Sequence, residues 1–407
     1  MAGKSSRARR ALILVENLSV PFDRRVWQEC TTLRDAGWEV HVICPRGEKQ
    51  DTEAEVVLDD VRIHRYPLRP ATGGPRGYAR EYGLALVHTL WRALRLTLRV
   101  GRFDVVHACN PPDLLFLVGA ALKLTGARFV FDQHDLVPEL YLSRFDRGED
   151  ALYRAVCLLE RLTYRTADVV IATNESYRRT AIERGGKAAA GVVVVRSAPA
   201  VERFEQVPPE PELKRGTPHL LCYLGVMGPQ DGVDYALRAL AKLRDDCDRT
   251  DWHAVFVGSG DTFDAMVRLA DDLGLADRVE FTGRIPDAEL LRYLSTADVC
   301  LAPDPRNPLN DVSTMNKIME YMAMARPIVS FDLTEARVSA GDAAVYATPN
   351  DELDFAKQIA RLLDDPDARQ RMGEIGVARV SGPLSWRESA AALLAAYDRA
   401  ANRINAR

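Results

Sequence analysis

Cysteine motifs are absent from this chain of 407 residues. Its seven cysteines are odd in number, scattered and mostly set inside apolar segments, and no two of them have CxxC spacing. Disulfide frameworks and structural zinc sites need paired or closely spaced cysteines. The sequence therefore predicts free thiols that act as small core residues in a reducing cytosol.

The glycine motifs of common nucleotide enzymes are missing too. Neither GxGxxG nor a Walker loop occurs, so hydride transfer and ATP hydrolysis lose their usual support. No Asp-x-Asp follows a predicted strand; the nearest candidate, Asp304, stands alone between two prolines and is interpreted as a loop residue. We therefore expect neither a metal ion nor a resident cofactor.

Long apolar runs are also lacking. The basic N-terminus precedes only a short apolar segment, 11–15, which is insufficient for a signal-peptide core, and the run 114–124 is too short to cross a bilayer. The net charge of −4 argues against a nucleic-acid partner. The expectation is a cytoplasmic protein, with peripheral contact to the inner face of the cell membrane left open.

What the chain does contain is an alternation of short apolar strands with helical segments. This pattern predicts βαβ units and parallel sheets covered on both faces. It breaks at the proline-rich, charged stretch 198–219 and then resumes. We predict an α/β protein of two Rossmann-like doubly wound domains facing a central cleft, with a first domain over 1–199, a linker over 200–218 and a second domain over 219–382.

Loops after the strands of the second domain are the expected ligand site, because doubly wound sheets bind ligands beyond the carboxyl ends of their strands. Three of these turns carry glycine, which allows close approach of the backbone to phosphate. One such glycine is more often only a turn, but the three together favour nucleotide binding. The candidates are Gly225, Gly228, Gly258, Gly260, Arg284 and Ile285.

The stretch 310–329 predicts a loop, a helix ended by Pro327 and a buried strand. A serine or threonine is expected to cap this helix, and its N-terminus is expected to face an anion. The candidate anion-binding residues are Ser313 and Thr314, which are also the candidate caps, with Met315, Asn316 and Lys317.

Glu320, in the middle of the same helix, has two interpretations. It is either a surface residue paired with Lys317 one turn earlier, or a carboxylate that binds hydroxyl groups beside the anion. The spacing alone leaves both open.

Polar side chains also follow the strands of the first domain. A lone histidine after a strand is more often structural, but His134 has three acidic neighbours that could set its charge. The candidates on this side are Asn17, Asp23, Arg25, Asn110, His134, Asp135 and Glu139.

Several stretches of the chain together have the pattern of one enzyme family. They are residues 21–26 with 37–40, 134–139, 320–323 with 327–329, and Ser385-Trp386 before the last helix. In combination they resemble family 4 of the retaining, nucleotide-sugar-dependent glycosyltransferases, which have the GT-B fold. The resemblance covers nearly the whole chain and implies that residues 383–407 cross back to the first domain.

The resemblance implies transfer of a hexosyl or N-acetylhexosaminyl group from a nucleotide-sugar co-substrate, a UDP-sugar above all, with retention and without a metal. The acceptor would be a glycan, a lipid-linked molecule or a small molecule, as in polysaccharide biosynthesis. It also implies that Glu320 holds the ribose and that His134 faces the sugar or the acceptor.

This chain departs from the family pattern at several positions, one of which is the usual glycine before Pro327, replaced here by Ala325-Arg326. The first motif glutamate should fall at Val312, next to Asp311, which becomes a candidate catalytic residue with His134 and Glu320. The basic pair that neutralises the donor diphosphate should fall near Val226 and Asp231. The candidates for the missing positive charge are Lys317, Arg284 and Arg25.

Two other functions remain open from the sequence. One is a sugar-nucleotide epimerase or hydrolase on a similar fold, which product analysis with and without an acceptor would separate from a transferase. The other is a catalytically silent nucleotide-sugar-binding protein, which the departures from the family pattern favour.

The long helix predicted over 78–100 interleaves arginines with apolar residues. Arg92, Arg95 and Arg99 fall on one face at helical spacing, as in a helix that lies on an anionic membrane. The alternative is an ordinary helix that covers the sheet and exposes only its arginines. The two interpretations differ in whether apolar side chains are exposed.

Overall fold

The computed structural model describes residues 8–47, 51–69, 74–144, 148–199 and 203–402. It divides into two compact units. The first holds the described residues up to Leu142, those from 148 to Arg196 and those from Arg387 on. The second holds Ser143, Arg144 and the described residues from Ser197 to Trp386.

The first unit is built on a sheet of eight strands. They are β1 (Arg10–Leu14), β2 (Glu39–Pro45), β3 (Glu55–Leu58), β4 (Val61–Tyr66), β5 (Val105–Cys109), β6 (Arg128–Gln133), β7 (Val169–Ala172) and β8 (Val192–Val194). Their order is β3-β4-β2-β1-β5-β6-β7-β8, and all neighbours are parallel except β3 and β4. The order reverses between β1 and β5, so the loops after these strands lie at the switch point.

Strand β3 lies in a charged stretch that the alternating apolar pattern did not predict as a strand. It pairs with β4 through a two-residue turn in which Asp59 and Asp60 have φ of +44° and +60°. Such a turn usually carries glycine, so this Asp-Asp pair gave no hairpin signal.

Seven α-helices accompany the first sheet in the described part of the chain. They are α1 (Arg24–Asp35), α2 (Gly74–Val100), α3 (Phe116–Lys123), α4 (Val137–Arg144), α5 (Ala151–Thr166), α6 (Glu175–Glu183) and the C-terminal α14 (Trp386–Asn402). The sequence did not predict α4. The C-terminal helix returns to the first unit as expected, because Tyr397 packs edge-on against Trp38 and Ser389 donates to the Arg196 carbonyl.

The described residues of the second unit form six strands and seven α-helices. The strands are β9 (His219–Leu224), β10 (Trp252–Val257), β11 (Val279–Gly283), β12 (Val299–Ala302), β13 (Ile328–Phe331) and β14 (Ala344–Ala347). The helices are α7 (Val233–Asp245), α8 (Phe263–Asp272), α9 (Asp287–Thr296), α10 (Asn316–Ala323), α11 (Thr334–Ala340), α12 (Glu352–Asp364) and α13 (Pro366–Ser381). The sheet is parallel, in the order β11-β10-β9-β12-β13-β14, with its switch point between β9 and β12.

The described part of the proline-rich stretch, 203–218, belongs to the second unit. Phe204 is buried in its core, and the backbone N–H groups of Val207 and Glu210 donate to Ser295 and Thr296 at the end of α9. Among the described residues, no helix is long and apolar enough to span a membrane. The seven cysteines are free, and five of them are buried.

Candidate functional site

Backbone from three loops meets at the carboxyl edge of the second sheet. A Cβ on Gly258 would lie 1.8 Å from the carbonyl oxygen of Gly225. Gly232 has a φ of +70°, and a Cβ there would lie 2.1 Å from the carbonyl oxygen of Pro303. Only glycine fits these two positions, so the loops after β9, β10 and β12 are held in contact at the switch point.

A buried lysine lies against these loops. The Nζ of Lys317, in the first turn of α10, is 2.6 Å from Asp304 Oδ1 and 5.1 Å from the ring centre of Tyr223. A Cβ on Gly225 would lie 3.2 Å from its Cε. Burial alone lowers the pKa of Lys317, but Asp304, Tyr223 and Asp231 raise it above its ordinary value, so the ammonium stays charged.

Two carboxylates interact with this ammonium. Asp304 does lie in a loop, as expected, but it is only 1% exposed, and its Oδ2 has no hydrogen-bond partner among the described residues. Asp231 accepts hydrogen bonds from the Gly228 N–H at 2.8 Å and from Gln230 Nε2 at 3.2 Å. Burial raises the pKa of Asp231 to about 6, while Lys317 acts in the opposite direction.

The start of α10 corrects the predicted cap. Its N-cap residue is Met315, and no side chain caps the helix. Residues 310–312 form a turn of 3₁₀ helix, and the Ser313 hydroxyl donates to the Leu309 carbonyl at 2.8 Å. The helix therefore begins beyond Ser313 and the half-buried Thr314, which leaves the first-turn N–H groups of Asn316 and Lys317 uncapped by a side chain.

Glu320 is half-buried on α10, one turn beyond Lys317. Lys317 is buried and forms its ion pair with Asp304. The interpretation of Glu320 as a surface residue paired with Lys317 is therefore wrong. The other interpretation of Glu320, as a residue that binds hydroxyl groups, stays a prediction.

Asp311 is half-buried and braces the neighbouring helix. It accepts hydrogen bonds from the backbone N–H and the hydroxyl of Thr334, both at 3.1 Å, and lies 3.3 Å from Arg306. Arg284 is exposed and Ile285 half-buried after β11. Asn310, which the sequence did not single out, is buried and donates to the carbonyls of Gln230 and Pro305, so it ties the loop after β12 to the loop after β9.

The loop after β6 in the first unit contains His134. Its Nε2 is 2.6 Å from Asp132 Oδ2. Asn110, from the neighbouring strand end, accepts hydrogen bonds from the backbone N–H groups of His134 and Asp135 and donates to Asp113. Asn110 therefore shapes the loop that presents His134.

Arg25, on α1, forms ion pairs with two carboxylates of the first unit. Its Nη2 lies 3.0 Å from Asp132 Oδ1 and 3.2 Å from Glu29 Oε1. Burial raises the pKa of Asp132, but Arg25 and His134 outweigh it and hold that pKa well below its usual range. The sequence had made Arg25 a candidate to neutralise the donor diphosphate. A buried guanidinium that already has two carboxylate partners is poorly suited to that role.

Four side chains beside Arg25 offer metal-ligand atoms within 4.8 Å of one another: Glu29, His107, Cys109 and Asp132. Arg25 already contacts both carboxylates, so the positive charge that would balance them is part of the protein. Burial lowers the pKa of His107 and raises that of Glu29 well above its usual value. Tyr397 of α14 reaches the same cluster, with its hydroxyl 2.9 Å from His107 Nδ1.

The remaining first-unit candidates have varied surroundings. Asp23 caps α1 by accepting from the Val26 N–H, and Asn17 is exposed. Glu139 lies in α4 and pairs with Arg184, while burial raises the pKa of Asp135. Glu16, which the sequence did not rank as a candidate, is only 2% exposed, and burial and then Glu81 raise its pKa to about 8.

Two family models match the chain in succession. The "Glycosyl transferase 4-like domain" matches residues 23–197, and "Glycosyl transferases group 1" matches 218–365. The chain belongs to the family 4 type of glycosyltransferases. Its two units are the two halves of that family's GT-B fold.

Curated relatives and solved structures agree with this assignment. The chain is 27% identical over 390 residues to a glycogen synthase of Mycobacterium tuberculosis, an alignment that covers 92% of this chain and 90% of the relative. Sucrose-phosphate synthase of Thermosynechococcus elongatus has the same fold, with a TM-score of 0.79 at 19% identity over 96% of this chain and 98% of its own. So does Anabaena HepE in complex with UDP-glucose, with a TM-score of 0.71 at 15% identity over 96% and 99% of the two chains.

Proposed function

We propose that this glycosyltransferase moves a sugar, a hexosyl or N-acetylhexosaminyl group, from a UDP-sugar to a glycan, lipid-linked or small-molecule acceptor, with retention and without a metal. The observation that carries the proposal is the charged, buried Lys317 at the switch point of the second sheet, one turn before Glu320. The fold neighbour HepE, whose complex contains UDP-glucose, supports the choice of nucleotide.

In this proposal Lys317 binds the donor diphosphate in place of the basic pair that the family has near Val226 and Asp231. The leaving diphosphate gains charge as the sugar acquires oxocarbenium character, and a preorganised ammonium in a buried site stabilises that charge. The N–H groups at the start of α10, which no side chain caps, would add the positive end of the helix dipole to the same binding site. Glu320 would accept hydrogen bonds from the ribose hydroxyls.

Asp304 is the residue whose contact with Lys317 must weaken when the donor binds. Its Oδ1 lies 2.6 Å from the Nζ of Lys317, and its Oδ2 lacks a hydrogen-bond partner among the described residues. A diphosphate that approaches Lys317 would compete with Asp304 for the ammonium. Since Lys317 supplies a cation beside two carboxylates, a divalent ion is not required at this position, and transfer should persist in excess chelator.

On the acceptor side, His134 would contact the sugar or the acceptor hydroxyl. Its imidazole is oriented by the ionised Asp132, and the loop that carries it is fixed by Asn110. The proposal gives Asp311 a lesser role, since its carboxylate braces the start of α11.

Product analysis tests the proposal. The purified protein is incubated with UDP-sugars, with and without a panel of glycan, lipid-linked and small-molecule acceptors, and the anomeric configuration of any product is read by NMR. Acceptor-dependent release of UDP with a retained configuration supports transfer. Release of free sugar or of an epimerised nucleotide without acceptor points to a hydrolase or epimerase instead. Binding without turnover across the panel would mean a silent binding protein, which Val226, Asp231 and Val312 favour.

A further inference from the structure

Helix α2 presents two different faces. Its inner face is buried through small and medium side chains, Ala85, Thr89, Ala93 and Leu96. Its outer face carries large apolar side chains exposed to solvent, namely Leu84, Val87, Trp91, Leu94 and Leu98.

The outer residues form one continuous stripe. They are three or four positions apart, the spacing at which side chains stack along one side of a helix. Val87 is 64% exposed, Trp91 53% and Leu98 89%. An ordinary sheet-covering helix buries its large apolar residues and exposes polar ones, so the arrangement in α2 is the reverse of that expectation.

Arginines border this stripe. Arg80, Arg95 and Arg99 are exposed, and the Arg95 guanidinium lies 5.2 Å from the ring centre of Trp91. The helix has a single acidic residue, Glu81, which is half-buried. The local charge is therefore positive on a chain whose net charge is −4.

Arg92, which the sequence placed with Arg95 and Arg99, belongs to a different environment. It is half-buried over the rings of Tyr66 and Trp91 and contacts His88 at 3.2 Å. Burial lowers its pKa. Only Arg95 and Arg99 of this group are available to a surface partner.

We infer that α2 docks the protein on an anionic lipid bilayer, with the stripe from Leu84 to Leu98 in the headgroup region and the arginines against lipid phosphates. Exposed apolar side chains beside arginines, with a tryptophan at the boundary, match the layered polarity of a membrane surface. The basic border favours anionic lipid over a second copy of this acidic chain. The inference depends on neither the donor nor the acceptor of the proposed reaction.

Vesicle sedimentation of the full chain tests the inference. The probe is phosphatidylcholine vesicles with and without phosphatidylglycerol, at low and high salt. Binding is expected only with the anionic lipid, and is expected to weaken in high salt because the Debye length shortens. Arg95→Gln with Arg99→Gln should weaken it roughly thirtyfold, at about 1 kcal/mol per arginine. Val87→Ser, Trp91→Ser and Leu98→Ser combined should abolish it.

Matched controls distinguish binding through this surface from nonspecific adsorption to vesicles. Leu158 on α5 and Val338 on α11 are also exposed, and the side chain of Arg387 is 84% exposed. The control variants Leu158→Ser, Val338→Ser and Arg387→Gln should therefore bind vesicles as the unchanged chain does. Thermal unfolding confirms that each variant is folded. The inference is overturned if anionic vesicles do not bind the folded chain, if the stripe variants bind undiminished, or if light scattering shows a dimer that the stripe variants break.

Discussion

The Nε2 of His134 lies 2.6 Å from Oδ2 of Asp132, two residues earlier at the end of β6. Arg25 holds the other oxygen of the same carboxylate at 3.0 Å, which keeps Asp132 ionised. The Arg25 Nε lies 3.1 Å from the same Nε2, so the carboxylate and the guanidinium both contact this ring nitrogen. These contacts therefore fix the orientation of the imidazole of a candidate catalytic residue.

The first prediction separates the two members of this pair. His134→Gln should lower kcat about 10- to 150-fold, the effect of a lost hydrogen bond to a charged group, and leave UDP affinity unchanged because the residue belongs to the first unit. Asp132→Asn should instead destabilise the fold by about 3–5 kcal/mol, since Arg25 loses a buried partner. Urea unfolding and steady-state kinetics measure these effects. Asp398→Asn, at an exposed ion pair, is the control. Full activity in His134→Gln would remove this histidine from the reaction.

The second prediction concerns the ammonium at the donor site. Lys317→Ala should weaken binding of a UDP-sugar by about 1.5–3 kcal/mol, because a charged contact to phosphate is lost. Lys242→Ala is the matched control, since Lys242 makes only a 4.0 Å surface pair with Asp246. Isothermal calorimetry compares the two variants. Equal affinities would show that the diphosphate is bound elsewhere.

Glu320 is the subject of the third prediction. If its carboxylate accepts hydrogen bonds from the ribose, Glu320→Gln should weaken UDP binding by about 1–3 kcal/mol. A deoxyribose analogue should then lose less affinity for the variant than for the unchanged chain, because the partner of the missing hydroxyl is already impaired. Unchanged nucleotide affinity in a folded variant would exclude Glu320 from the site.

The fourth prediction is a pH dependence set by Asp231. Its folded pKa is raised to about 6, so the group is charged at pH 7.5 and mostly neutral at pH 5. The diphosphate of a UDP-sugar stays ionised over this range. Donor affinity should therefore rise as the pH falls through 6, by roughly tenfold for about 1.4 kcal/mol of relieved repulsion. Calorimetry across this range on the unchanged chain and on Asp231→Asn checks the effect. A slope that persists in the variant would assign the titration to another group.

Local sequence patterns determined much of the architecture. Apolar runs such as 11–15 and 328–331 became buried strands, and the break after 198 marks the change from one unit to the next. The C-terminal return followed only from the family resemblance, whereas the strands, the break and the strand-end loops were predicted from local patterns. These features depend on residues that are close in sequence, where the period of apolar side chains selects helix or strand.

The tertiary structure decided which side chains meet. Lys317 pairs with Asp304 rather than Glu320, and Arg25 is neutralised by Asp132, 107 residues away. The exposed stripe of α2 has the same composition as a core-facing helix, and only the packing of Ala85, Thr89, Ala93 and Leu96 against the first unit shows which face is outside. Such outcomes depend on the order of strands in the sheet and on the space between packed elements, which no local period encodes.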